Sequence, residues 1–325
     1  MLTDPFGRRI TSLRLSVTDR CDLRCHYCLG EAVQFVPKWQ ILSFEEIERL
    51  TDAFIGLGIR RVRLTGGEPL VRSGLVSLVA RLTRHRAAGR LDEVTLTTNG
   101  TRLARHAEAL RAAGLRRINV SLDSLSPETF RRITRVGRLE TVLEGIAAAR
   151  AVGLAVKINT LALPSLTEAE IDSLIAWCGT QGFALSLIEP MPLGETGPCR
   201  SPAARSLVEL RREIAQRWTL QPDDFRSGGP SRYVTVAETG GRLGFITPMT
   251  HGFCGACDRV RISATGHLFP CLGQAASVDL RPALRGGSEG ALDLAIRAAI
   301  ATKPQRHVFS PEFSGLARRM NVTGG

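Results

Sequence analysis

Leu13-Arg-Leu-Ser-Val17, followed by Thr18-Asp-Arg-Cys21-Asp-Leu-Arg-Cys25-His-Tyr-Cys28, is a β-rich run that opens straight into a loop of three cysteines. The same order of strand, polar loop and helix recurs through the first two-thirds of the chain. Further β-rich runs lie at 61–64, 93–97, 117–122, 155–160 and 184–188. Helices between them have readable starts: Ser43-Phe-Glu-Glu46 and Thr167-Glu-Ala-Glu170 have capping-box spacing, and Ser126-Pro127 sets a cap before a first-turn proline. Six such β/α units predict a parallel sheet with right-handed crossovers. Polar or glycine-rich residues follow each strand: Thr65-Gly-Gly-Glu-Pro69, Thr98-Asn-Gly100, Ser121-Leu-Asp123, Asn159 and Glu189-Pro-Met191. In a barrel of parallel strands that rim is where active sites are built. Six units fall short of eight, so the expected class is α/β: a partial (β/α)6 TIM-like barrel whose gap the remaining third covers.

That remainder reads as a smaller α+β cluster-binding region, giving domains at 1–200 and 201–325. A proline- and glycine-punctuated link spans 194–202, and a helix is expected over 203–217, with a loop over 221–230. Strands are predicted at 233–237, 243–247 and 259–263, and a helix near 289–301. Hydrophobic residues at 43% and charged residues at 23% describe a folded globular chain rather than a disordered one. The first ten residues lack the apolar core of a signal peptide, and no apolar run reaches the ~18 residues of a membrane span. A cytoplasmic protein without a membrane partner is expected. The formal charge of +12 invites an anionic partner, although only Lys38, Lys157 and Lys303 are lysines and the arginines are scattered. Solvated helix faces account for most of that charge. With aromatics at 5% and no basic stripe, a nucleic-acid partner is not expected.

The eight cysteines are more telling. A reducing compartment disfavours disulfides, and clustering points to metal ligation. Cys21, Cys25 and Cys28 cannot complete a four-cysteine site. They can hold three irons of a [4Fe–4S] cube, leaving the fourth open to the amino and carboxylate groups of S-adenosylmethionine. Zinc with His26 as fourth ligand is the alternative. Cys254, Cys257 and Cys271 form a second set of three, and on spacing a zinc site completed by His251 or His267 competes with a second open cluster. Cys178 and Cys199 read as buried or free thiols. Gly66-Gly67 lets a backbone approach a ligand closely, although a plain turn would also use it.

The cysteine loop and Thr65-Gly66-Gly67-Glu68-Pro69 resemble the two signatures of the radical S-adenosylmethionine superfamily. Asp258-Arg259-Val260-Arg261-Ile262-Ser263, Gly266-His267-Leu268 and Cys271-Leu272 resemble the auxiliary-cluster segment of its GTP 3′,8-cyclase (MoaA) family. Arg14–Asp19, Ser43–Leu50, Thr97–Gly100, Val120–Leu125, Asp279-Leu280-Arg281, Lys303-Pro304 and Gly324-Gly325 agree in order, so the resemblance covers essentially the whole chain. There are departures. Leu29-Gly30-Glu31-Ala32 replaces the usual Met-Pro-x-Glu-Gly, with one residue fewer before Phe35. Asp258 stands where asparagine is common.

The resemblance implies two [4Fe–4S] clusters, on Cys21, Cys25 and Cys28 and on Cys254, Cys257 and Cys271. It implies S-adenosylmethionine contacts from Tyr27, Gly66, Gly67, Glu68, Ser121 and Met191. GTP contacts are implied for Arg14, Arg63, Thr97, Lys157, Arg259, Val260 and Arg261, with Arg14, Gly324 and Gly325 serving catalysis. A deoxyadenosyl radical would take hydrogen from C3′ of GTP, and the ribose would then close onto C8 of guanine, opening molybdenum cofactor biosynthesis. A homodimer, a low-potential electron donor such as flavodoxin or ferredoxin, and a downstream cyclic pyranopterin monophosphate synthase are the implied partners. A peptide-modifying radical enzyme is the nearest rival, but such enzymes typically need more cysteines than the three found past residue 250. A basic nucleic-acid-binding zinc protein is the rival from another class.

Overall fold

The computed structural model describes residues 1–29, 33–193, 206–309 and 318–324. Six β/α units come first: β1 (Ser12–Ser16), α1 (Phe44–Gly56), β2 (Arg61–Thr65), α2 (Leu75–Ala87), β3 (Glu93–Thr98), α3 (Leu103–Ala112), β4 (Arg117–Ser121), α4 (Pro127–Thr134), α5 (Leu139–Ala151), β5 (Ala155–Leu161), α6 (Glu168–Gln181) and β6 (Ala184–Ile188). Then follow α7 (Leu207–Ala215), β7 (Leu220–Asp223), β8 (Arg232–Val236), β9 (Gly241–Ile246), β10 (Arg259–Ile262), β11 (His267–Phe269), β12 (Val278–Asp279), α8 (Arg281–Gly286), α9 (Ala291–Ala301) and α10 (Met320–Thr323). Both expected capping boxes are formed: Ser43 and Glu46 cap α1, and Thr167 and Glu170 cap α6. Ser126 caps α4, with Pro127 at its first turn.

All strands join one sheet, in the order β12-β11-β10-β1-β2-β3-β4-β5-β6-β9-β8-β7. The six expected strands are parallel neighbours. The last third adds a parallel strand on each flank, β10 beside β1 and β9 beside β6. It therefore extends the barrel wall as well as serving its own loops. Antiparallel strands finish each side. The loop expected over 221–230 is corrected: β7 takes its first residues. Pro222 lowers the strand signal there, yet an edge strand tolerates a residue without a donor.

Alternation along the strands fixes what faces where. Leu13, Leu15, Val62, Leu64, Val94, Leu96, Ile118 and Val120 belong to the continuous buried core, as do Ile158, Leu185, Leu187, Val260 and Ile262. Successive side chains of a strand point to opposite faces. Arg14, Arg63, Thr95, Thr97, Asn119, Ser121, Lys157, Asn159, Arg259 and Arg261 must then face inward. The inner face is polar and strongly cationic, unlike the apolar layers that fill a closed barrel.

Candidate functional site

A cavity of about 270 Å³ occupies this inner space. Its wall includes Arg14, Arg63, Thr97, Ser121 and Lys157 from successive strands, Tyr27 from the first cysteine loop, and Met191 after β6. Arg259, Val260, Arg261, Cys254, Cys257 and Cys271 close it from the last third. The sequence expected a site on the strand rim. The cationic residues instead lie mid-strand, because alternation turns them inward below the rim. Val260 borders the cavity although its side chain packs in the outer core.

Arg14, Arg63 and Arg261 stand in register across β1, β2 and β10. Among the described residues the Arg14 guanidinium makes no hydrogen bond; it faces the cavity but is enclosed by protein. Burial, then Arg261, Arg63 and Arg259, hold it well below its ordinary value. Burial and the neighbouring Arg117 and Arg259 bring Arg63 down to about 10, and burial with Arg259 and Arg318 brings Arg261 to about 9. Burial lowers Lys157 to about 8. Like charges gathered in a protein interior disfavour their own charged forms. Such a site is completed by an anion of several charges, for which guanidinium forks match phosphate oxygens.

The first cysteine loop is held from three sides. Arg24 and His26 donate their backbone N–H groups to Thr134 and Ile133 at the end of α4. Asp22 accepts from Asn99 at 2.8 Å, Thr101 at 2.9 Å and Arg102 at 3.0 Å. Gly67 N–H donates to Thr18 O at 2.8 Å and Glu68 N–H to Arg20 O at 2.7 Å. The close approach that demands glycine here is therefore to the chain itself. A Cβ on Gly66 would lie 2.5 Å from Thr18 O, and one on Gly67 2.4 Å from Arg20 O. Glu68 does not reach the cavity wall. Its buried carboxylate accepts from Leu70 N–H at 2.9 Å, Thr98 Oγ1 at 2.8 Å and Asn99 N–H at 2.6 Å. Burial raises it to about 7 despite those donors.

No ligand is present, so the fit of a cluster rests on the thiols themselves. Cys21, Cys25 and Cys28 are unbridged. Burial pushes Cys21 up to about 12 and Cys28 to about 11, and raises Cys25. Leu23 N–H points at Cys21 Sγ at 3.4 Å, Asn99 Nδ2 lies 3.7 Å from it, and the Asn321 N–H reaches Cys28. Donors aimed at sulfur suit thiolates, and metal binding is what keeps such thiols ionised. His26 turns away toward Arg132 and Arg135. Among the described residues, no three His, Cys, Asp or Glu side chains gather as around a single metal ion. Cubane cysteines, by contrast, grip separate irons.

The second set lines the cavity directly. Neither His251 nor His267 does; His267 bonds Thr265 Oγ1 at 3.1 Å on the far side of β10. His307 and Lys303 do reach it. His307 lies beside Cys254 with its Nε2 hydrogen-bonded to Pro248 O at 2.8 Å, and Lys303 Nζ donates to Pro270 O at 2.6 Å, to Arg259 O at 2.8 Å and to Cys257 Sγ at 3.6 Å. Arg8 ties the start of the chain to this loop through Cys254 O at 2.6 Å. Asp258 faces Thr11 and Arg61, which suits a carboxylate in place of the family's amide. Arg261 donates to Gly324 O, and Gly324, at φ +70°, packs on Thr65 where a Cβ would have no room. Gly325, Cys199, the 30–32 stretch and the 194–202 link lie outside the described residues. Cys178 is a buried core thiol.

The sequence reading left out Asp123, His307 and Lys303 as site residues. Asp123 sat in plain view after β4; it accepts Tyr27 OH at 2.8 Å and Leu161 N–H at 2.8 Å, fixing Tyr27 on the wall. His307 lies 36 positions beyond Cys271 and no spacing points to it.

Residues 15–178 match the radical SAM superfamily and residues 183–309 match the molybdenum cofactor synthesis C-terminal family. The chain is 53% identical over 328 residues to a GTP 3′,8-cyclase of Erythrobacter litoralis, covering 100% of this chain and 98% of that one. A GTP 3′,8-cyclase of Paracoccus denitrificans is 53% identical over 330 residues, covering 100% and 96%. Among solved structures, SuiB of Streptococcus suis bound to S-adenosylmethionine aligns with a TM-score of 0.63 at 17% identity, over 88% of this chain and 65% of that one. The protein anSMEcpe with bound AdoMet aligns with a TM-score of 0.57 at 15% identity, over 80% and 74%. These two likenesses speak to the fold alone.

Proposed function

The chain belongs to the GTP 3′,8-cyclase family of the radical S-adenosylmethionine superfamily, the enzymes of molybdenum cofactor biosynthesis, and we propose that the cationic cavity is where its GTP is held. The observation that carries this reading is the in-register row Arg261, Arg14 and Arg63, enclosed and short of counter-charge. With Lys157 and Arg259 it suits a triphosphate. Thr97 and Val260 complete the substrate wall.

When bound and reduced, the superfamily's [4Fe–4S] cluster splits S-adenosylmethionine into methionine and a 5′-deoxyadenosyl radical. Cys21, Cys25 and Cys28 would hold that cluster; Tyr27, Ser121, Met191 and the backbone of Gly66-Gly67 would orient S-adenosylmethionine beside it. Cys254, Cys257 and Cys271, which line the cavity, would hold a second cluster that would supply a Lewis-acidic iron to the guanine. Arg14 and Gly324-Gly325 would fix the ribose and close off water; in this role Arg261 holds Gly324 against Thr65. Residues 1–200 are then the radical-generating partial barrel, which also lends Arg14, Arg63, Thr97 and Lys157 to the substrate wall, and 201–325 the auxiliary-cluster and GTP-binding region. A low-potential flavodoxin or ferredoxin, a homodimer, a cytoplasmic location and a downstream pyranopterin monophosphate synthase complete the reading.

The test is anaerobic reconstitution followed by GTP, S-adenosylmethionine and reductant. Iron with acid-labile sulfide at both sites and deoxyadenosine release that requires GTP are expected. Equal release with other nucleotides would defeat the reading. Cys271→Ala should keep the first cluster's spectrum while cyclised product is lost; undiminished product would remove the second cluster from the scheme.

A further inference from the structure

Lys157 is 8% exposed on β5, with Arg63 and Arg117 as cationic neighbours. Its ammonium lies 5.3 Å from the ring centroid of Tyr233 on β8, a separation suited to cation–π attraction. Tyr233 reaches this place because Gly244 of β9 intervenes in the register. Gly244 pairs with Ser186 on one side and with Tyr233 on the other. A Cβ on Gly244 would lie 2.7 Å from Tyr233 Cε1 and 2.2 Å from Ser231 Oγ. The phenol is then locked by buried hydroxyls. It donates to Ser227 Oγ at 3.0 Å and accepts from Ser186 Oγ at 3.4 Å, and Ser186 bonds Ser231 at 2.8 Å. Tyr233 is 4% exposed, and Ser186 and Ser231 are fully buried.

Burial alone would raise the phenol, yet Lys157, Ser186 and Ser227 bring it down to about 8. A fixed, electron-rich ring and hydroxyl beside the ammonium oppose the repulsion from Arg63 and Arg117. A flexible lysine chain has no other device here, among the described residues, to hold its head on the wall.

We propose that Tyr233 is a positioning residue which, seated over Gly244 and clamped by Ser227 and Ser186, holds the Lys157 ammonium on the cavity wall for the substrate's phosphates. This rests on reading Lys157 as a phosphate contact.

The test measures equilibrium binding of GTP and of guanosine to anaerobically reconstituted protein. Tyr233→Phe keeps the ring and removes the hydroxyl; it should weaken GTP about three- to tenfold and leave guanosine unchanged. In a Lys157→Met background the same change should weaken GTP no further, since the two residues act as one unit. Additive losses, or equal weakening of guanosine, would overturn the inference. Ser227→Ala reads the same hydroxyl from its partner if Tyr233→Phe folds poorly, and should weaken GTP selectively too. Wild-type protein that binds guanosine as tightly as GTP would instead sink the phosphate reading of the cavity itself.

Discussion

At the scale of single residues, the glycine pair after β2 is the clearest case of a motif whose physical reason differs from its first reading. The sequence places Gly66-Gly67 at a strand end and allows close approach to a ligand or a plain turn. The structure shows approach to backbone: Thr18 O for one glycine, Arg20 O for the other. Those carbonyls lie immediately before Cys21, so the pair seats the first cysteine loop against β2. Gly67→Ala must shift backbone to relieve a 2.4 Å contact. Overpacking of that kind costs about 1–3 kcal/mol. The barrel should survive, with native circular dichroism, while iron and sulfide at the first site fall steeply. Normal loading of that site in the alanine variant would show that the contact is not what positions the loop. Glu68, three donors deep in the strand ends, was legible as an acidic motif residue. Its role as a fastener was not, because two of those three partners lie 30 and 31 positions away.

At the scale of elements, the six barrel strands were legible within a residue because their apolar positions recur and their helices are capped, whereas the short β7, β11 and β12 were not read as strands. β6 falls where the sequence put it, at Ala184–Ile188. What spacing could not supply was register, which depends on long-range pairing. Arg14 and Arg261 are 247 positions apart in sequence yet face each other across β1 and β10. That row carries a consequence for stability. A charge enclosed in a cavity wall among like charges and without a partner opposes folding, and replacing it by an apolar side chain of similar size relieves the opposition. Arg14→Met should raise the midpoint of the nucleotide-free protein by roughly 2–3 °C, about 1 kcal/mol, while GTP binding collapses. A lowered midpoint would mean that Arg14 is already satisfied. Lys157 adds a pH signature to the same element. Its folded value of about 8 lies below the ordinary 10.5, so the unfolded chain binds more protons between those limits. Stability therefore gains a rising contribution from about pH 8 to 10.5, present in full above that window and absent below it. Tyr233, lowered from 10 to about 8, acts in the same direction. Denaturation curves of wild type and Lys157→Met should diverge across that window, and parallel curves would refute the shift.

At the scale of the whole molecule, the two family segments meet in one sheet. The expectation of a partial barrel with a covering region captured the parts but not their interlock. The strands at 241–246 and 259–262 are short and carry no mark of which edge they will join. Yet one pairs with β6 and the other with β1, so the last third supplies both neighbours of the six-strand wall. Hydrogen bonds, apolar outer faces and the lining of the cavity are shared across both junctions. A fragment ending at Leu193 would bare the edges of β1 and β6 together, and exposed parallel edges recruit other chains. The fragment should accordingly associate or precipitate. The intact chain should unfold in one transition, with far-ultraviolet dichroism and tryptophan fluorescence coinciding. Trp39 and Trp177 lie in the first segment and Trp218 in the second, so fluorescence reports on both. Two separated transitions, with a soluble and cooperative 1–193 fragment, would show that the flanking strands are accessories rather than part of one folding unit.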